Sequence, residues 1–61
     1  MTPLAVAIGL RRLCREALDA SEPPDWQAVR HFDTLANNAY KYLSAADAGT
    51  YLSWAKDEEK L

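Results

Sequence analysis

The hexapeptide SEPPDW at positions 21–26 constrains this chain more than any other feature, because it places two consecutive prolines between two helix-forming segments. Proline lacks a backbone N–H and clashes with the preceding turn, so no helix runs through this segment. On either side β-branched residues are scarce, and Ala, Leu, Arg, Glu and Lys dominate, which favours helix over strand. A short connection between two helices reverses the chain, and we therefore predict a helical hairpin.

The first helix is predicted over about 3–20. Thr2 is a suitable N-cap, and Pro3 fits the first turn, where its missing N–H is not needed. Apolar residues at spacings of four, three and four predict a stripe that packs in the core, made of Val6, Leu10, Leu13 and Ala17. Leu4 and Ile8 fall on the charged side of the helix. Because they have no place in that core, we assign them to the interface of a homodimer.

The second helix is predicted over about 24–43, with Asp25 adding negative charge to its first turn. Its core-facing residues follow a heptad-like spacing and are Val29, Phe32, Ala36, Ala39 and Leu43. Small residues at the centre of this seam favour a close approach of the neighbouring helix. We expect the two helices to pack antiparallel through these stripes.

A third helix is predicted over about 45–59 and is expected to fold over the hairpin. Ser44 followed three residues later by Asp47 forms a capping box in its aspartate variant, which marks the start of a helix. Gly49 leaves an alternative open, in which the second helix runs on to Gly49 and Thr50 caps a short last helix.

The chain is short enough that its own core is marginal. Its 61 residues form a single all-α domain, 1–61, and 49% of them are hydrophobic, many being alanine. Cys14 is the only cysteine, so no internal disulfide forms, and its place on the apolar stripe predicts a buried, inert thiol. A domain of this size usually gains stability from a second subunit, so we expect a dimer of three-helix domains.

Net charge and hydropathy restrict the partners and the cellular compartment that we expect for this chain. The net charge of −2 does not call for nucleic acid as a partner. The apolar run PLAVAIGL has eight residues and precedes the arginines, whereas a membrane span needs about 20 apolar residues and a signal peptide has its basic residues first. With a lone thiol, the chain is expected to be cytoplasmic and to have no membrane partner.

No pattern of catalytic, metal-binding or cofactor-binding residues stands out. His31 is the only histidine, no cysteine lies at ligand spacing from it, and a solvent-facing position is expected. Gly9 and Gly49 are isolated, so no glycine-rich phosphate loop exists. We therefore expect no catalytic residues, no metal, no cofactor and no enzymatic activity.

The aromatic residues of the second half have two interpretations. Tyr42, Tyr51 and Trp54 are either boundary residues with apolar bodies and polar tips, or a surface that binds a partner. Tyr and Trp are enriched at interface hot spots, and the hydrophobic core of such a short chain is too small to bury all of them. We predict that these three residues form a partner-binding surface.

A cluster of arginines on the first helix is the second candidate. Arg11, Arg12 and Arg15 either form an ordinary solvated face, with pairs to Glu16 and Asp19 at a spacing of four, or contact an acidic partner. We include Arg11 and Arg15 among the partner-binding residues.

The leading hypothesis is a small non-enzymatic regulator, an inhibitor or adaptor, that binds another protein. In size and composition the chain is similar to small bacterial or phage regulatory proteins. The alternative is a small helical DNA-binding transcriptional regulator that uses the arginines of the first helix or the outward face of the second. Residues of the types that contact bases lie on that face: Gln27, Arg30, Thr34, Asn37, Asn38 and Lys41.

Overall fold

The computed structural model describes residues 1–59 and consists of three helices: α1 (Pro3–Asp19), α2 (Trp26–Lys41) and α3 (Ala45–Glu59). Within these residues no strand is present. The predicted all-α architecture of a helical hairpin followed by a third helix is confirmed. Residues 60–61 of the predicted domain lie outside the described part of the chain.

Hydrogen bonds from side chains fix the starts of α1 and α3. The Thr2 hydroxyl accepts a hydrogen bond from the backbone N–H of Ala5 at 3.2 Å, as expected of an N-cap. At the start of α3 the Ser44 hydroxyl accepts from the backbone N–H of Asp47, also at 3.2 Å. Each bond satisfies a donor that the first helical turn otherwise leaves free.

The start of α2 differs from the predicted one by two residues. Asp25 has an extended backbone, with φ −75° and ψ 95°, and is the N-cap of the helix. Its carboxylate accepts hydrogen bonds from the N–H groups of Gln27 and Ala28 at 3.1 and 3.3 Å. Asp25 therefore caps α2 from outside, and its negative charge still stabilises the positive end of the helix dipole.

The boundary between α2 and α3 settles the alternative that Gly49 left open. α2 ends at Lys41, and the backbone N–H of Tyr42 donates back to the carbonyl of Ala39 at 3.2 Å. Gly49 lies in the interior of α3, which already begins at Ala45. The second helix therefore does not run on to Gly49.

α1 and α2 form the main helix interface. They run antiparallel, since Arg11 contacts Asn37 whereas the later Cys14 contacts the earlier Val29. The thiol of Cys14 donates to the carbonyl oxygen of Val29 at 3.6 Å, and the predicted burial of this thiol is confirmed. Small residues line the contact, since Ala7 and Ala36 are fully buried. A helix lined with such residues allows a close approach of its neighbour, as the α2 sequence predicted.

The most buried residues of α1 lie toward one edge of the predicted apolar stripe. Ala7 and Cys14 are buried, whereas Val6 and Leu13, two members of the predicted stripe, are 37% and 41% exposed. The sequence pattern weights large apolar residues, but the closest approach of α2 selects the small ones, and the helix is rotated accordingly. The predicted core stripe of α1 therefore lies on the flank of the helix interface.

Leu4 and Ile8, the residues predicted to form a dimer interface, are half-buried within the single chain. The rotation of α1 turns them toward the interior, contrary to their expected place on the charged side. Less of their surface is therefore free for a second subunit than the sequence implied. Their role in a dimer stays a prediction.

α3 lies across one face of the α1–α2 hairpin and contacts α1. Tyr51 is its anchor, with its ring 5.4 Å from that of Tyr40 on α2 and 5.8 Å from that of Trp54. Of the helices described, none combines the length and the apolar character that a bilayer crossing requires.

Candidate functional site

A single arginine joins all three helices. Arg11 on α1 donates from Nε to the hydroxyl oxygen of Tyr51 on α3 at 2.9 Å. Its two terminal nitrogens donate to Asp33 at 2.7 Å and to the side-chain oxygen of Asn37 at 3.0 Å, both on α2. The planar guanidinium has its donors in a fixed fork, so these three bonds set the positions of α2 and α3 relative to α1.

The charge on Arg11 is held by these contacts. Partial burial lowers the pKa of Arg11, but its hydrogen bonds to Tyr51 and Asp33 raise the pKa by more, so the pKa lies above that of an ordinary arginine. Arg11 therefore keeps its charge in the folded protein at every pH of interest. Three of its five N–H donors are used within the chain, and a role of Arg11 in partner binding stays a prediction.

Tyr51 is buried, being only 5% exposed, so little of its own surface is open to a partner. Its ring packs between Tyr40 and Trp54, and its hydroxyl accepts the hydrogen bond from Arg11. A buried tyrosine needs such a partner for its hydroxyl, and the sequence does not show which residue supplies it.

Tyr42, by contrast, is largely exposed. It is the C-cap residue of α2, and 84% of its surface is accessible to solvent. Among the aromatic contacts between described residues, Tyr42 pairs with neither Tyr51 nor Trp54. Tyr51 and Trp54 are in ring contact with each other, and the joint surface with Tyr42 stays a prediction.

Trp54 lies half-buried on the flank of α3 and contacts α1 through an arginine that was not among the predicted site residues. The guanidinium carbon of Arg12 lies 5.7 Å from the centre of the Trp54 ring, within the range of a cation–π interaction. The indole N–H donates to the carboxylate of Glu58 at 3.1 Å. Arg12 was expected to pair with Glu16, but among the described residues its partner is Trp54.

Arg15 lies one turn further along α1. Its Nε is 3.5 Å from the carboxylate of Asp19, so the ion pair expected at a spacing of four is confirmed. Both side chains are well exposed, and such a pair contributes little to stability. Arg15 is therefore free to exchange Asp19 for a carboxylate of another molecule.

These residues border a groove between the second half of α1 and the last turns of α3, which we call the α1–α3 groove. Its volume is about 460 Å³. Its residues are Arg11, Arg12, Cys14, Arg15, Glu16, Leu18, Trp54, Ala55 and Glu58. The lining therefore combines apolar side chains and a cysteine with charged side chains of both signs. The sequence alone gives no signal for this groove, because it depends on how α3 lies against α1.

The rest of the described surface offers fewer chemically distinct features. Among the side chains of residues 1–58, no three His, Cys, Asp or Glu gather where they would hold a metal ion. His31 is exposed, as predicted, and its ring meets that of Phe32 edge to face at 5.6 Å.

Searches against protein-family models, curated proteins and solved structures find no match to this chain. The contacts and charges of the α1–α3 groove therefore carry the functional conclusion.

Proposed function

We propose that the chain is a non-enzymatic regulatory protein that binds another protein in the α1–α3 groove, as an inhibitor or adaptor. The observation that supports this most is the exposed part of the Trp54 ring beside the side chains of Arg12 and Arg15. Tryptophan and arginine are the residue types most enriched at interface hot spots, and here they border one apolar depression.

The chemistry of the groove favours an acidic amphipathic helix as the bound segment of that partner. An apolar side chain of the partner would fill the floor near Leu18 and Ala55, and its carboxylates would meet Arg12 and Arg15. Glu58 is held by the indole N–H of Trp54, which reduces its repulsion of an acidic ligand. The groove is long enough for about two turns of helix, since Arg11 and Leu18, which both line it, lie seven positions apart on α1.

The same proposal includes a homodimer and a cytoplasmic location. A dimer is supported by the small number of buried side chains, because within residues 1–59 no large side chain is fully buried. A reducing compartment is supported by the free thiol of Cys14, which packs against the backbone of α2.

Capture of binding proteins from the source cell tests the groove, because the chain supplies a matched control for each substitution. Trp54→Ala and Arg15→Glu alter the groove, and Trp26→Ala and Arg30→Glu make the same changes on the outward face of α2. We expect a protein that the wild type and both control variants retain and that both groove variants lose, as measured by mass spectrometry. Equal capture of this protein by all four variants would contradict partner binding in the α1–α3 groove.

The alternative, a DNA-binding regulator, is supported by the outward face of α2. Gln27, Arg30, Thr34, Asn38 and Lys41 are exposed there and free to contact bases or phosphates. Asn37, however, accepts from Arg11, and Arg11 is occupied within the fold, so both are removed from the residues that the alternative would use.

Salt dependence separates the two candidates. Binding through phosphates weakens steeply as salt rises, whereas a complex built on the floor of the groove persists at moderate salt. Retention of sheared DNA at low salt that is lost in Arg30→Ala and Lys41→Ala, but kept in Trp54→Ala, would favour the DNA-binding alternative.

A further inference from the structure

We propose that a second copy of this chain docks on the face of the α1–α2 hairpin that lies opposite α3. This open face consists of Val6, Leu10 and Leu13 on α1 and of Phe32, Leu35 and Ala39 on α2. The inference rests on the homodimer proposed above and moves its interface from Leu4 and Ile8 to this face.

The position of the open face follows from the contacts of Arg11. Arg11 on α1 and Asp33 on α2 both lie on the side that α3 covers, because Arg11 also bonds to Tyr51 of α3. Residues two apart on a helix point about 200° away from each other. Leu13 follows Arg11 by two residues and Leu35 follows Asp33 by two, so both turn away from α3.

The exposure of the six side chains agrees with this position. Val6 and Leu13 are exposed, and Leu10, Phe32, Leu35 and Ala39 are only half-buried. None of the six is charged. No helix within the described residues covers this side of the hairpin, so a continuous apolar surface faces solvent.

The exposed area of the whole chain is larger than that of a compact monomer. A folded monomer of 6.8 kDa is expected to expose about 3,950 Å², whereas this chain exposes 4643 Å². The excess is about 700 Å², close to the roughly 800 Å² that each partner buries in a stable interface. The chain by itself therefore leaves enough surface uncovered for a docking interface of ordinary size.

A second copy is the occupant that this face fits best. The apolar residues recur at spacings of four and three on α1 and of three and four on α2, which is the pattern of helices in a four-helix bundle. A twofold axis through the open face would bring two hairpins together as such a bundle, with each α3 on the outside. Without charges, the face offers nothing that would select an acidic or basic foreign partner, unlike the α1–α3 groove.

Sedimentation velocity from about 1 to about 500 micromolar tests the proposal on the full chain. We expect the wild type to sediment as a dimer in the upper part of this range. Val6→Asp combined with Leu13→Asp places four carboxylates in the twofold interface and should raise the dissociation constant at least about a hundredfold, with helicity retained. If the double variant loses helicity, Leu13→Gln replaces it, because this milder change at an exposed position gives a shift in the same direction.

Two controls make the result specific. Leu52→Asp changes a leucine that is 52% exposed on α3 and should leave the dimer intact. Trp54→Ala should also leave the dimer intact. Loss of partner binding in the groove is thereby distinguished from loss of dimerisation through the open face. A monomeric wild type throughout the range overturns the proposal, as does a folded open-face variant that dimerises normally or a Leu52→Asp variant that dissociates equally.

Discussion

At the scale of single residues, Arg11 determines how the three helices fit together. Its guanidinium donates to Tyr51, Asp33 and Asn37, which belong to the two other helices. The sequence marks Arg11 only as one of several arginines on a polar face. Its role depends on the distance between helices, and no local pattern in the sequence reports that distance.

Replacing Arg11 should therefore destabilise the fold more than replacing any exposed arginine. Arg11→Ala leaves the carboxylate of Asp33 and the hydroxyl of Tyr51 without their donor, and we expect a loss of about 1–3 kcal/mol in the free energy of unfolding. The lower part of this range applies because the Asp33 side chain is 48% exposed and water replaces part of the interaction. Arg11→Lys should recover only part of the loss, because an ammonium lacks the planar fork.

Urea unfolding followed by circular dichroism measures this difference. Arg30→Ala is the control, because Arg30 is exposed on α2, and its effect should stay within about 0.5 kcal/mol. Equal effects of Arg11→Ala and Arg30→Ala would mean that the hydrogen bonds of Arg11 do not hold the helices together.

At the scale of helices, much of the structure is predictable from local chemistry. The two prolines, the N-cap Thr2 and the capping residue Ser44 are all visible in the sequence, and they mark where helices end or begin. The buried face of α1 is predictable only in part. The burial of Cys14 follows from its place on the apolar stripe, whereas the exposure of Val6 and Leu13 depends on the close approach of α2 to the small residues of α1.

Gly49 gives a prediction that belongs to this scale. It lies inside α3, its φ is not positive, and a Cβ added there meets no atom within 4 Å. Gly49→Ala therefore costs no strain, and alanine loses less backbone entropy in a helix than glycine does. We expect the free energy of unfolding to rise by about 0.5–1 kcal/mol, seen as a higher melting temperature in circular dichroism.

The other glycine of the chain, Gly9 in α1, permits a companion test. Gly9 is also helical, and an added Cβ there again meets nothing within 4 Å, so Gly9→Ala should stabilise by a similar amount. A fall in melting temperature for Gly49→Ala alone would indicate that α3 does not continue through position 49.

At the scale of the whole molecule, the described chain has two different unfilled surfaces. The α1–α3 groove combines Trp54 with arginine side chains, whereas the open face of the hairpin is apolar and uncharged. The charges of the first surface favour an acidic foreign segment, and the second favours a copy of the same chain. The sequence shows the apolar residues of the open face, but which of them stay uncovered, and the groove itself, depend on how α3 is placed on the hairpin.

The two tryptophans of the chain permit the most direct test of the groove. Trp54 lies in the groove, and Trp26 lies on α2, 60% exposed, so their indole N–H signals in a nitrogen–proton correlation spectrum report on two separate surfaces. The protein is titrated with the partner recovered in the capture experiment, and the two signals are assigned through Trp26→Phe and Trp54→Phe. We predict that the Trp54 signal shifts or broadens while the Trp26 signal stays in place. A shift of the Trp26 signal with an unchanged Trp54 signal would contradict partner binding in the α1–α3 groove.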